Sequence, residues 1–165
     1  KKTIYKYFCN KEVLIEEGTT AIHNEVYKII DEIVAKDYNA IEENFEIRKM
    51  FKEMFKSVND SPIYQLKKHY PEIYSKMMAN KLDDCNVMFR QNIEKGISQG
   101  LYRENLDVEK YIRFYYMLIF TINETIASEK EALELELDAL EYHTRAMATL
   151  AGIIELEKQL QLNNN

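Results

Sequence analysis

The run Asn59-Asp60-Ser61-Pro62 is the sharpest break in this chain, and breaks of its kind are few. Four Gly and two Pro serve all 165 residues. A sandwich or barrel of many short strands needs turn signals roughly every 8–12 residues, which this supply does not provide. The segments between breaks are rich in Glu, Lys, Leu, Ile, Ala and Met, all comfortable in a helix. The expected fold class is all-α.

The breaks divide the chain into helices of unequal length. Asn10 caps a helix running to about Lys36, with Ile22, Val26, Ile29 and Ile33 on one stripe. Asn39, with Glu42 three residues on, forms a capping box for a helix carrying Ile47, Phe51, Met54 and Val58. Ser61 then caps and Pro62 opens a short helix ending near Tyr70. Pro71 opens a long one with Met78, Leu82, Cys85, Phe89 and Ile93 on its stripe, and Gly100 ends it. Asp107 caps the next, striped by Val108, Ile112, Tyr115, Ile119, Ile122 and Ile126. A last helix is expected from about Ala132 to Leu156, and Asn163-Asn164-Asn165 reads as a frayed tail. The alternation from Leu133 to Leu137 is strand-like but short, and it runs straight into helical spacing. No internal repeat emerges.

The net charge of −6 hides an asymmetry. Residues 1–11 hold Lys1, Lys2, Lys6 and Lys11 and no acid, while the remainder is strongly acidic. A basic end on an acidic body can set one face against a polyanion. Cys9 and Cys85 stand alone, without a CxxC, which suits free thiols in a reducing cytoplasm. The longest apolar run, Phe114 to Ile122, is too short to span a bilayer, so no membrane role is expected.

Catalytic and metal patterns are missing. A di-metal bundle needs Glu-x-x-His pairs, and the residues three before His23, His69 and His143 are Thr20, Leu66 and Leu140. There is no phosphate-cradling Gly-rich loop, HExxH or nucleophile elbow, so neither an enzyme nor a cofactor is expected. The acids from Glu129 to Glu141 gather where a helix macrodipole favours them.

The opening stretch carries the most specific signal. Thr3-Ile4-Tyr5-Lys6-Tyr7-Phe8, followed by Cys9-Asn10-Lys11-Glu12-Val13-Leu14, resembles the signature of the TetR family of bacterial transcriptional regulators. That signature reads Thr, aliphatic, Tyr, any residue, His or Tyr, Phe, then a turn and a capped helix start. Gly96-Ile97-Ser98-Gln99-Gly100-Leu101-Tyr102-Arg103 is similar to the family's common end to its seventh helix. The helix layout fits the family from residue 1 to the C-terminus.

The resemblance implies that residues 1–8 are the recognition helix of a helix-turn-helix that two further helices normally precede, so the chain is expected to be N-terminally truncated. Residues 1–36 would then be the C-terminal half of a DNA-binding domain, and 37–165 a ligand-binding and dimerisation domain. The chemistry agrees with this. Ile4 and Phe8 share a face suited to packing, leaving Lys2, Thr3 and Lys6 toward the other side with Tyr5 and Tyr7 on its flanks. Lys11 lies in the first turn of the next helix, where free N–H groups attract phosphate. By resemblance Thr3, Tyr5, Tyr7 and Lys11 touch the DNA backbone, and Lys1 and Lys2 lie near the bases. Tyr7 stands where the family more often has His.

The same resemblance implies an effector pocket among the helices of residues 40–58, 71–99 and 107–127. Their large side chains are Phe51, Met54, Phe55, Tyr74, Met77, Met88, Phe89, Tyr115 and Ile119, which favour a mainly apolar or aromatic ligand. Arg48, Arg90 and Arg113 are the charged exceptions, and one turned inward would admit a carboxylate. A homodimer is expected on the last two long helices, through Leu137, Leu140, His143, Thr144, Met147, Leu150, Ala151 and Ile154. The function implied is a regulator, commonly a repressor, that leaves a palindromic double-stranded operator when a small effector binds. The alternative is an all-helical scaffold or adaptor whose last helices bind a partner.

Overall fold

The computed structural model describes residues 7–163, the side chains of 80–85 excepted. The described residues form seven helices and no strand. They are α1 (Lys11–Val34), α2 (Ala40–Phe55), α3 (Pro62–His69), α4 (Pro71–Ser98), α5 (Val108–Thr125), α6 (Glu129–Met147) and α7 (Leu150–Asn163). None is long and apolar enough to cross a membrane.

The starts are fixed by the expected caps. Asn10 accepts from the Val13 N–H, Ser61 from Tyr64 and Asp107 from Lys110. At α2 the capping box is complete: Asn39 accepts from Ile41 and Glu42, and Glu42 accepts from the Asn39 N–H at 3.0 Å. The Ala40 N–H is taken by Gln99, at the far end of α4, at 2.9 Å.

Helix α2 is the hub. It packs on α1, α4, α6 and α7, while α5 bridges α3, α4 and α6. Ala40, Ile41 and Phe45 near the start of α2 are closed to solvent and join Ile93, Tyr102, Ile112, Leu140, Met147, Leu156 and Leu160 in one core. Ile93, Ile112, Leu140 and Met147 stand on the expected stripes, whereas Ile47, Phe51, Met54 and Val58 are half-buried and Ile22 is exposed.

The last helix departs from expectation. It is two helices, α6 and α7, with the extended Ala148 (φ −65°, ψ 147°) between them. The cause lies in the α4–α5 loop, which pairs with this point as an isolated antiparallel bridge, Tyr102 to Ala148. Arg103 N–H donates to the Met147 carbonyl at 3.0 Å and Thr149 N–H to Leu101 at 2.9 Å. Thr149 then restarts the helix, accepting from the Gly152 N–H at 3.2 Å. Nothing in Ala148-Thr149-Leu150 itself announces a break, because the partner that makes it is remote in sequence. At its other end α6 is held by the pairing of Asp60 with Ser128, where Ser61 N–H donates to Ala127 and Glu129 N–H to Asn59.

Two glycines make the loop possible. Gly100 adopts φ +70°, the left-handed geometry that ends a helix. Gly96 lies flat against Tyr102, and a Cβ there would overlap the Tyr102 ring. Replacing Gly96 with Ala should therefore unseat Tyr102 and cost about 3 kcal/mol. Gly100→Ala should cost only about 1 kcal/mol, for the strained backbone. Urea unfolding of the two variants beside the parent checks the order; a Gly96→Ala protein as stable as the parent would show that Tyr102 is not seated there.

Candidate functional site

Two groups of interior polar residues adjoin α2, while Ser61 with Glu129 at the start of α6 and Gln159 on α7 are buried elsewhere. The first faces α4. Glu43, only 3% exposed, accepts from Asn92 Nδ2 and from Lys95 Nζ, each at 2.6 Å. Asn92 also donates to the Ala40 carbonyl, and Asn44 donates to Asn92 at 2.9 Å. The Tyr102 hydroxyl lies beside Asn44 and Thr144, buried without a well-aligned hydrogen bond, and burial pushes its pKa up. Breaking a buried pair of this kind by removing one partner costs about 3–5 kcal/mol, so this group acts as structure.

The second group faces α5 and α6. Arg48 reaches from α2 to the Leu133 carbonyl of α6, to which Nη2 donates at 3.1 Å. Its Nε is buried and has no hydrogen-bond partner among the described residues. Burial lowers the guanidinium pKa, while the charges of Glu136 and Asp138 oppose that fall. Glu136, on the inner side of α6, accepts from Asn123 Nδ2 of α5 at 2.6 Å. Burial pushes the Glu136 pKa above the usual carboxylate range, with Asn123 and Arg48 pulling the other way.

Tyr115 stands between the two groups. Its hydroxyl pKa is raised by burial and then by the charge of Glu136. Its ring stacks on His143 at 4.6 Å and meets Phe89 edge-on at 5.2 Å, and Phe89 in turn meets Tyr116 at 5.4 Å. The interior between α2, α4, α5 and α6 thus combines an aromatic cluster with the Arg48 guanidinium and the carboxyl groups of Glu43 and Glu136.

The expected pocket residues divide accordingly. Phe89 and Tyr115 are joined in that cluster, with Met88 and Ile119 half-buried. Phe51 and Phe55 stack on each other at 6.5 Å, half-buried, and Met54 is half-buried beside them. Tyr74 is buried, and its hydroxyl donates to Glu124, which also pairs with Lys67 at 2.9 Å. Met77 belongs elsewhere, lining a cleft of about 150 Å³ between α1 and α4 with Glu16, Thr19, Thr20, His23, Ile73 and Lys76. Of the three arginines, Arg48 is the one turned inward; Arg90 pairs with Glu109 at the surface and Arg113 is exposed.

The expected dimer face requires correction. Leu140, His143, Thr144 and Met147 are 1–7% exposed and face the protomer's own core, and Leu137 packs against that core. Their regular spacing is the signature of the inner face of α6, which α5 covers. Leu150, Ala151 and Ile154 are exposed, but on α7, past the break. The exposed apolar side chains of α5 and α6 are Phe114, Met117, Leu135 and Tyr142. The contacts of Tyr111 and Tyr115 with His143 set Phe114 level with Tyr142 along the two helices.

At the N-terminal end, Lys1, Lys2, Thr3, Ile4, Tyr5 and Lys6 lie outside the described residues. Tyr7 is 80% exposed. Lys11 is exposed in the first turn of α1, its ammonium 5.3 Å from the Tyr70 ring centroid. Glu16 pairs with Lys76 of α4.

No protein-family model, curated protein or solved structure matches this chain. Glu43, Asn92, Asn123 and Glu136 are not singled out by sequence motifs. The signal that could have found them is register: Glu136 falls on the same helical face as Ala132, Ala139, Leu140 and His143, and Glu43 follows the buried Ala40 by three residues. An acid on a core stripe is the clue that a polar interior exists.

Burial holds the His143 pKa down to about 4, from an ordinary value of 6.5. Below pH 6.5 the unfolded chain takes up a proton that the folded chain refuses. The contribution of His143 to stability is therefore intact above 6.5 and falls by about 1.4 kcal/mol per pH unit down to about 4. Denaturation of the parent and of His143→Gln across that range should show the variant's stability falling less steeply with acid; parallel slopes would mean that His143 titrates normally.

Proposed function

We propose that this chain is the body of a ligand-responsive, DNA-binding transcriptional regulator of the TetR type, acting as a homodimer. The observation that carries the reading is the pairing of a regulator-like opening with a helical body that has a polar, aromatic interior. Residues 3–14 resemble a recognition helix, turn and capped helix start, and α1 does begin at Lys11 under an Asn10 cap. That helix leads into an all-α body whose interior mixes aromatic rings with Arg48 and Glu136. Such an interior suits a small, mainly aromatic effector better than it suits a scaffold, which needs only a tight apolar core.

DNA would be held through residues 1–11. Lys1 and Lys2 would lie near the bases, with Thr3, Tyr5, Tyr7 and Lys11 along the backbone and Lys6 on the DNA-facing side. The dimer would use the exposed apolar side chains of α5 and α6 in place of the buried inner stripe. Around a twofold axis between the helix pairs, Phe114 and Met117 of one copy meet Leu135 and Tyr142 of the other. An effector that changed the separation of two recognition helices would weaken binding to paired half-sites.

The chain should be expressed together with any segment encoded directly upstream of Lys1 and used to select genomic DNA fragments. Salt-dependent binding to a palindromic fragment is expected. Lys11→Ala should weaken binding to all fragments alike and lower the salt slope by about one. Failure to select any fragment would leave the adaptor reading in its place. For the dimer, Phe114→Glu with Tyr142→Glu should shift sedimentation from dimer to monomer at micromolar concentration without unfolding, because both side chains are exposed within the protomer. A parent that sediments as a monomer would exclude this interface.

A further inference from the structure

Arg48 occupies a costly position. A guanidinium carries five N–H donors, and a buried one that lacks partners loses the hydration it had in water. One donor reaches the Leu133 carbonyl, and Nε is buried with nothing to bond among the described residues. Glu136 and Asp138 act on it through their charge, but neither forms an ion pair or hydrogen bond with it. Glu136 gives its hydrogen bond to Asn123 instead. The site therefore holds a positive group whose natural complement, a carboxylate, the described protein residues do not supply in contact.

The surroundings of Arg48 say what the rest of the complement looks like. Arg48, Phe51 and Phe55 recur at i, i+3 and i+7, so they lie along one face of α2. Phe51 and Phe55 stack on each other and remain half-buried, unlike Phe45 on the same helix, which is 2% exposed. An aromatic strip thus leads from the partly open end of α2 to a half-buried guanidinium whose Nε is closed to solvent, with Tyr115 beyond it, close enough to feel the Arg48 charge. A small molecule with a flat apolar group and one carboxylate matches that strip. A neutral aromatic leaves Arg48 Nε unpaired, and a cation would meet the guanidinium.

We propose that the interior site binds a small aromatic monocarboxylic acid, with Arg48 as the anchor for its carboxylate and the Phe51–Phe55 strip as the seat of its ring. This rests on the reading of the interior as the effector site. Glu136 opposes the ligand charge, so its neutralisation should help binding.

The test uses phenylacetate, 2-phenylethanol and phenethylamine, an acid, an alcohol and an amine of similar shape. Each is titrated by calorimetry and thermal shift against the parent, Arg48→Met and Glu136→Gln, with circular dichroism to establish that each variant is folded. Phenylacetate should bind the parent, lose roughly tenfold or more in affinity to Arg48→Met, and bind Glu136→Gln more tightly. Glu136→Gln keeps Arg48, so it decides the matter even if Arg48→Met does not fold. Equal binding of the alcohol, preference for the amine, or weaker phenylacetate binding to Glu136→Gln would overturn the acid assignment while leaving an interior pocket. If none of the three binds the parent, both the anchor and the pocket fall, and the DNA selection alone decides the regulator reading.

Discussion

The contact of Tyr102 with Gly96 is the constraint on which the rest of the helical body depends. A ring lying directly on a helix backbone requires a residue without a side chain, and that seat fixes where the α4–α5 loop runs. The loop then pairs with Ala148 and Thr149, dividing one long helical pattern into α6 and α7. Arg103 secures the same junction by donating to the Ala146 carbonyl at 2.5 Å, where the end of α6 leaves its carbonyls unpaired. With both ends of α6 pinned, its inner face is held against α5, and Glu136 and His143 are committed to the interior.

That commitment makes a site possible. Burying a carboxyl group, a guanidinium and an imidazole costs free energy that an all-apolar core would avoid. The protein divides the cost differently in its two polar groups. Glu43 is matched by Lys95 and Asn92 at hydrogen-bonding distance. Arg48 is matched only in part, and Glu136 is satisfied by an uncharged amide. Completed networks hold a fold together, whereas an incompletely satisfied group keeps an uncompensated desolvation cost.

The fold was legible in the sequence where its causes are local. Asn10, Asn39, Ser61, Asp107 and the two prolines act within a turn of themselves, and each of those helix starts stands where they predict it. The division of the last helix was not legible, because its cause is a loop 46 residues earlier, from Tyr102 to Ala148, and not the residues at the break. The same blindness assigned the buried inner stripe of α6 to a second copy. A regular apolar stripe shows that a face is buried, but not whether α5 or a second copy buries it. In the interior, Phe89 and Tyr115 were visible as large side chains, whereas the pairing state of Arg48 depends on α6 and could only be seen in three dimensions.

In the proposed regulator, occupancy of the interior site would weaken binding to DNA. Fluorescence anisotropy of the chain, with any segment encoded upstream of Lys1, on the fragment it selects, tests this at fixed salt with and without saturating phenylacetate. Coupling of about 1–3 kcal/mol would weaken DNA binding by roughly 5- to 150-fold, and by reciprocity DNA would weaken phenylacetate binding by the same factor. Unchanged DNA affinity with the interior site fully occupied would contradict the account.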